Sequence, residues 1–182
     1  MSRRESPLVS FLVLVRDICQ LKRGPEEMPY SAALLALLVA SSIALDLLCN
    51  RILEGEPNIL ARSLMSMTLV LALSWIALAI RRLGNRYVQT ATTLIACDIV
   101  FTLLILPLAW LFAREPAQPK ALTPGQTLIA WAMLAVIFWN LLVNAHIVRR
   151  ALDAPFMLGF AIALAWAVAN WALTHALFDP AG

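Results

Sequence analysis

Long apolar stretches broken by short charged clusters set the pattern of this chain. Residues 63–80, 121–148 and 154–178 contain no Asp, Glu, Lys or Arg, residues 30–49 contain only Asp46, and residues 87–113 contain only Asp98. Each stretch is near or above the ~20 apolar residues that a helix needs to cross the hydrocarbon layer. A backbone in lipid must satisfy its own hydrogen bonds, which leaves helices or a closed barrel. A barrel would show ~10-residue alternating segments. Only residues 159–169 alternate small and large side chains, and they lie inside a longer uncharged run. The pattern therefore predicts an all-α, polytopic integral membrane bundle. Its five transmembrane helices fall at about 30–49, 59–80, 87–113, 123–148 and 155–177.

Before the first span, residues 8–23 read as an amphipathic interfacial helix. Leu8, Phe11, Leu12, Val15, Ile18 and Cys19 share one face at helical spacing, with Arg16, Asp17 and Gln20 opposite. A signal peptide is the rival reading, but the apolar stretch ends at Arg16-Asp17 and no small-residue cleavage site follows. A helix in the headgroup plane fits better, and Gly24-Pro25 to Pro29 ends it. Residues 1–29 form an N-terminal segment and 178–182 a short tail. Thr123-Pro124-Gly125-Gln126 has the capping-box form with proline at the first helical position. Asp153 is placed to cap the last helix. Three prolines (Pro116, Pro119, Pro124) predict a stiff, extended loop between the third and fourth spans.

Composition agrees with the pattern. Of 182 residues, 62% are hydrophobic and 14% charged, with a mean hydropathy of +0.81. A soluble domain is about 45–50% apolar and about 25% charged. The net charge of +3 comes from arginines flanking the spans, so it gives orientation and not a nucleic-acid patch. Arg3, Arg4, Arg16, Lys22, Arg23, Arg81, Arg82, Arg86, Arg149 and Arg150 fall on one side, and Arg51, Arg62, Arg114 and Lys120 on the other. The positive-inside rule then predicts a cytosolic N-terminus and an exported C-terminus. Trp110 and Trp131 fall together on the outer side, where aromatic anchors concentrate. Cys19, Cys49 and Cys97 fall at different depths on this reading, so free thiols are expected.

Polar groups inside the spans are the candidate chemistry. Asp98 lies mid-span, where an Asp costs about 2.5–3.5 kcal/mol on insertion scales. It reads either as a proton or cation site or as a neutral acid bonded to a neighbouring helix. Thr102, Asn140, Asn144 and Asn170 are its expected companions in a polar cluster near the bundle centre. Pro107 removes a backbone donor and leaves the Leu103 carbonyl without its usual partner. Asp46 and Arg62 are expected to form an ion pair at the outer interface. Ala32, Ala36, Ala40 and Ala44 predict a helix-packing stripe on the first span, and Gly159, Ala163 and Ala167 a weaker one on the last. His146 and His175 lie at opposite ends of the bundle, so no metal site is expected. No cofactor or nucleophile motif is present. Arg149, Arg150, His146 and Asp153 gather at the inner face, which would be the start of a lipid-modifying site.

A polar N-terminal segment, then five closely spaced helices and a very short exported tail, resembles the Yip1 family from Leu8 onward. The DLYGP motif of its eukaryotic members is absent, and Gly24-Pro25 followed by Pro29-Tyr30 does not replace it, so no family site residue is carried over. The resemblance implies a non-enzymatic, membrane-organising or partner-binding protein, and the short loops and positive-inside arginines suggest a bacterial inner membrane. It would associate with lipid, other membrane proteins or itself. A small oligomeric transporter or channel using Asp98 is the alternative.

Overall fold

The computed structural model of the chain describes residues 7–53, 55, 58–115 and 122–178. These form six helices: α1 (Pro7–Cys19), α2 (Ala32–Ile52), α3 (Ile59–Ile80), α4 (Tyr87–Arg114), α5 (Pro124–Ala151) and α6 (Phe156–Phe178). Helices α2 to α6 are long and apolar enough to cross a membrane. The fold is an all-helical membrane bundle, as the pattern predicts, with span boundaries within three residues of the expected ones. The α1 helix is about 20 Å long at the helical rise, too short to span. Arg3, Arg4, Pro116, Pro119, Lys120 and most of the terminal tail lie outside the described residues, as do Glu54 and Glu56 of the loop between α2 and α3.

Local signals explain the helix ends. Ser31 caps α2 by accepting from Leu34 N at 3.2 Å. The predicted capping box of α5 is present: Gln126 N donates to Thr123 Oγ1 at 3.0 Å, and Thr123 N donates to Gln126 Oε1 at 3.0 Å. At the arginine-rich end the chain reverses tightly after α1, α3 and α5. Each reversal uses a left-handed residue: Leu21 (φ 62), Arg82 (φ 58) and Asp153 (φ 49). The next amide closes back on the helix in each case, as in Lys22 N→Asp17 O at 2.9 Å, Leu83 N→Leu78 O at 2.8 Å and Ala154 N→Arg149 O at 2.9 Å. This is the Schellman ending, built here without glycine. Asp153 therefore does not cap α6. It lies in the turn and pairs with Arg86 at 2.8 Å.

The central helix is α4, which packs along α2 and, more extensively, α5, while α5 packs equally along α6. Every residue from Thr90 to Cys97 is buried. Three threonines within this stretch lend their hydroxyls to carbonyls one turn back: Thr90 to Arg86 O, Thr92 to Val88 O and Thr93 to Gln89 O. Those bonds let polar side chains sit in the core without a partner helix. The helix runs through Pro107 to Arg114, and Leu103 lies exposed.

Which faces turn inward differs from expectation on two helices. The α1 helix packs on the bundle through only part of its expected apolar face. It is drawn into the bundle, where Leu14, Val15 and Ile18 join Leu94, Cys97, Phe101, Val143 and Ile147 in one buried cluster. Leu8 and Leu12, expected on the apolar face, are 74% and 64% exposed. Leu14 explains the rotation, since it extends the apolar arc away from Leu8 and Leu12 and toward two helices at once. The alanine stripe of α2 also faces away: Ala32, Ala36, Ala40 and Ala44 are all exposed. The inward side carries Leu38, packed on the main cluster, buried Ser42 and Asp46. Those positions are offset by two residues from the alanines, about 200° around a helix. On α6 the small residues do pack, with Gly159 and Ala163 buried, although Ala167 is exposed. A Cβ built on Gly159 would lie 2.6 Å from Ala145 O, so α5 and α6 meet there backbone to backbone.

Candidate functional site

Two groups of polar side chains stand out, one clamping the N-terminal segment and one inside the spans. The clamp comes from α4 and α5 and grips mainly backbone carbonyls. Trp139 Nε1 donates to Cys19 O at 2.9 Å. Gln89 Nε2 donates to Met28 O at 2.7 Å and to Glu26 O at 3.3 Å. His146, which is buried, reaches Arg23 O through Nε2 at 3.0 Å. Arg149 Nη2 lies 3.2 Å from His146 Nδ1. A guanidinium only donates, so Nδ1 accepts, and Nε2 carries the proton given to Arg23 O. Around these pins lie ion pairs of Arg150 with Glu26 at 3.2 Å, Arg23 with Glu27 at 3.3 Å, and Arg23 with Asp17 at 3.4 Å. Below them Met28 is buried in the main cluster. Residues 19–28 are thus fastened across the arginine-rich end of α4 and α5.

The clamp is only partly foreshadowed in the sequence. His146 is expected at the inner end of a span, as no metal ligand and as one of four groups that would start a lipid-modifying site, while Gln89 and Trp139 carry no expectation. The signal was present at Gln89, which with Thr90, Thr92 and Thr93 makes a dense polar run at the start of an apolar span. A polar run there needs partners, and the N-terminal carbonyls supply those of Gln89.

The second group centres on two carboxyl groups. Asp98 keeps exposed surface although Ala91 to Cys97 before it and Phe101 after it are buried. It lies at the level where close packing along α4 stops, roughly 17 Å from the start of the helix. Asp46 of α2 lies within electrostatic reach of Asp98. Its own carboxylate accepts from Ser63 Oγ on α3. The expected Asp46–Arg62 ion pair is not formed: Ser63 takes the carboxylate, and the Arg62 guanidinium lies 5.6 Å from the Phe178 ring centre. Among the described residues Asp98 makes no hydrogen bond or ion pair.

The predicted cluster of Asp98, Thr102, Asn140, Asn144 and Asn170 is not assembled by hydrogen bonds. Asn144 Nδ2 donates to Asn140 Oδ1 at 2.9 Å, one turn away on the same helix. Asn170 Oδ1 is buried on α6 and accepts no hydrogen bond. Thr102 is half-buried near Asp98. The reason is mutual satisfaction along α5: two asparagines one turn apart bond each other and need no neighbouring helix. His175 packs edge-on against Trp171, ring centres 4.8 Å apart. Among the described residues no group of three or more His, Cys, Asp or Glu is placed to hold a metal. Arg114 stacks 3.7 Å over the Trp110 ring, a cation–π contact that ties a charge to an aromatic near the end of α4.

The cysteines bear out one expectation and depart from another. All are free, but Cys19 and Cys97 are not separated by depth. Cys19 packs against the buried cluster that contains Cys97, because α1 enters the bundle. No family model, curated protein or solved structure matches the chain.

Proposed function

We propose that this chain is a non-enzymatic membrane protein that works by associating with itself or another membrane protein, in the membrane-organising manner that the Yip1-like resemblance implies. The observation that carries this reading is the α2 face. Ala32, Ala36, Ala40 and Ala44 form a smooth exposed strip, and in lipid, small-residue faces let helices approach closely and associate. In this reading the protein sits in a bacterial inner membrane, and the arginine-rich end is cytosolic by the positive-inside rule. The test is a photo-crosslinking residue placed at position 40 or, as control, at inward position 38, in native membranes. Protein adducts of defined mass are expected at 40, absent at 38 and lost in Ala36→Leu. Lipid adducts alone at position 40 would remove the reading.

A second reading rests on a different observation, the exposed and unbonded carboxyl of Asp98 beside Asp46. Intramembrane acids of this kind serve proton or cation responses in other bundles. Liposomes containing the protein would then show a pH-dependent proton or cation flux that Asp98→Asn removes. Equal flux in wild type and variant would dismiss it.

A further inference from the structure

We propose that the N-terminal segment is re-entrant and lines a water-filled vestibule that opens at the arginine-rich end and reaches the level of Asp98. Contacts along α5 set the depth of the segment. Arg150 meets Glu26 at 3.2 Å, His146 holds Arg23 O at 3.0 Å, and Trp139 holds Cys19 O at 2.9 Å. Trp139 stands twelve residues before the end of α5 at Ala151, roughly 18 Å at the helical rise. On α3 and α6 the apolar surface continues to that same end of the bundle. Ile76, Ile80 and Met157 are 45%, 76% and 74% exposed, and Leu78 packs with Val148, Ala151 and Leu152, which sets the ends of α3 and α5 level. The segment therefore descends about halfway into a hydrocarbon layer ~30 Å thick.

Backbone and charge at that depth both need water. Past Cys19 the chain leaves helical geometry, with Leu21 left-handed (φ 62), and stays irregular to Gly24. Irregular backbone at membrane depth is tolerated only when buried in protein or beside water. Gln20, Leu21, Lys22 and Arg23 are exposed, so the rest of the chain does not cover it. Arg16, one turn before Gln20, has 62% of its side chain exposed and pairs with Asp17 at 2.8 Å. Charges within the hydrocarbon layer face a wet cavity or one another, and the long stems of Lys and Arg recover only part of the depth. Asp98 shares this level. Arg86 Nη1 lies 3.4 Å from Ala151 O, which sets the start of α4 beside the end of α5, and Asp98 is eleven residues along α4, roughly 17 Å. Leu94 and Phe101, which join α1 in the buried cluster, lie within about 60° of Asp98 around the helix, and Asp98 itself is exposed. The vestibule thus gives the intramembrane acid a route for water, protons or small cations from the arginine-rich end. That use of it rests on the second reading above; the vestibule itself does not.

The test places single spin labels in the full chain in lipid nanodiscs, at Arg16→Cys, Gln20→Cys or Phe138→Cys with the native cysteines changed to alanine. Collisions with a water-soluble nickel chelate are compared with collisions with oxygen. Phe138 is 53% exposed and reports the depth of the Trp139 level. The label at 138 should meet oxygen and little chelate, while labels at 16 and 20 should meet the chelate about tenfold more often, as wet positions do. Hydroxyl-radical footprinting of the unsubstituted chain is expected to modify Leu21 and spare Ile76, although the two side chains are similarly exposed at 39% and 45%. Chelate-poor labels at 16 and 20, or protection of Leu21, would mean a dry segment and overturn the proposal. A chelate-rich label at 138 would overturn it too, because this level of α5 would then stand outside the hydrocarbon. Proton or cation flux is measured apart, and its absence would remove the second reading alone.

Discussion

The two ends of the bundle are built differently. Toward the arginine-rich end, α1 and the 3₁₀ turn Pro25–Glu27 fill the space over α4 and α5, and most of the buried residues lie there: Thr90 to Cys97, Val143, Ala145 to Val148, Leu78, Gly159 and Ala163. Among the described residues few are buried toward the other end: Ser63, Thr123 and Gln126, with Phe101 just past Asp98. There α3 and α6 part to leave a groove of about 380 Å³ lined by Leu64, Met65, Thr68, Leu69, Ala72 and Leu173. Asp98 sits at the border between the two regimes. Five helices of similar length and hydropathy thus pack tightly only where a sixth, non-spanning segment is inserted among them. Apolarity makes them membrane helices. Shape and polar pins decide where they touch, because lipid tails are as apolar as the side chains.

The largest test of this contrast removes bulk from the tight end. Ile18 is 0% exposed and Leu37 is 63% exposed. Ile18→Ala is expected to destabilise by about 2–4 kcal/mol, the range for a buried large-to-small change. Leu37→Ala, on the lipid face, should stay within about 0.5 kcal/mol. Denaturant titration in mixed micelles measures both. Equal losses would mean that α1 is not part of the core.

A smaller test adds one carbon where α5 and α6 meet. The Cβ of Gly159→Ala would approach Ala145 O to 2.6 Å and Arg149 Cβ to 2.7 Å, so the helices must separate. Overpacking of this kind costs about 1–3 kcal/mol. Ala40→Leu adds three carbons on the exposed face of α2 and should leave the monomer's unfolding midpoint unchanged, whatever it does to association. A Gly159→Ala midpoint equal to wild type would show that the α5–α6 crossing relaxes freely.

The same pair of helices shows how much was legible in the sequence. Span number, boundaries and the α5 capping box follow from charge-free runs and a local motif, because those depend on residues adjacent in the chain. Which face of each span turns inward depends on partners far away in sequence. On α2 the intramembrane acid Asp46 and buried Ser42 fall opposite the alanines, and the Asp46–Ser63 bond turns the stripe outward. On α6 the buried amide oxygen of Asn170 is on the same side as Gly159 and Ala163, so the small residues pack. Polar residues set the rotation, and small residues matter to packing when they share that face. The expected cluster around Asp98 is not joined by hydrogen bonds for a related reason. Shared depth does not by itself pair side chains, and Asn140 and Asn144 have a nearer partner in each other. The clamp was harder to foresee, since its acceptors are mainly backbone carbonyls, which carry no side-chain signature.

The smallest expected effect concerns how the tight end responds to acid. The Arg16 guanidinium bonds the Asp17 carboxyl at 2.8 Å and, with Arg23 behind it, holds that carboxyl below the usual carboxylate range. A carboxyl whose folded value is depressed stabilises the fold at pH above its unfolded value, ~3.9 for Asp. That contribution fades as pH falls through the folded value. The Arg16 partner of Asp17 is largely exposed, with 62% of its side chain open, so the contribution is modest. The loss is also local, because Arg23, freed from Asp17, is the residue whose carbonyl His146 holds. Hydrogen exchange across residues 19–28 should therefore quicken, after correction for intrinsic rates, as pH falls below about 4, while exchange in the middle of α3 stays constant. In Asp17→Asn the segment should exchange faster at neutral pH and lose part of its acid dependence. Unchanged acid dependence in that variant would mean that Asp17 holds no part of the clamp.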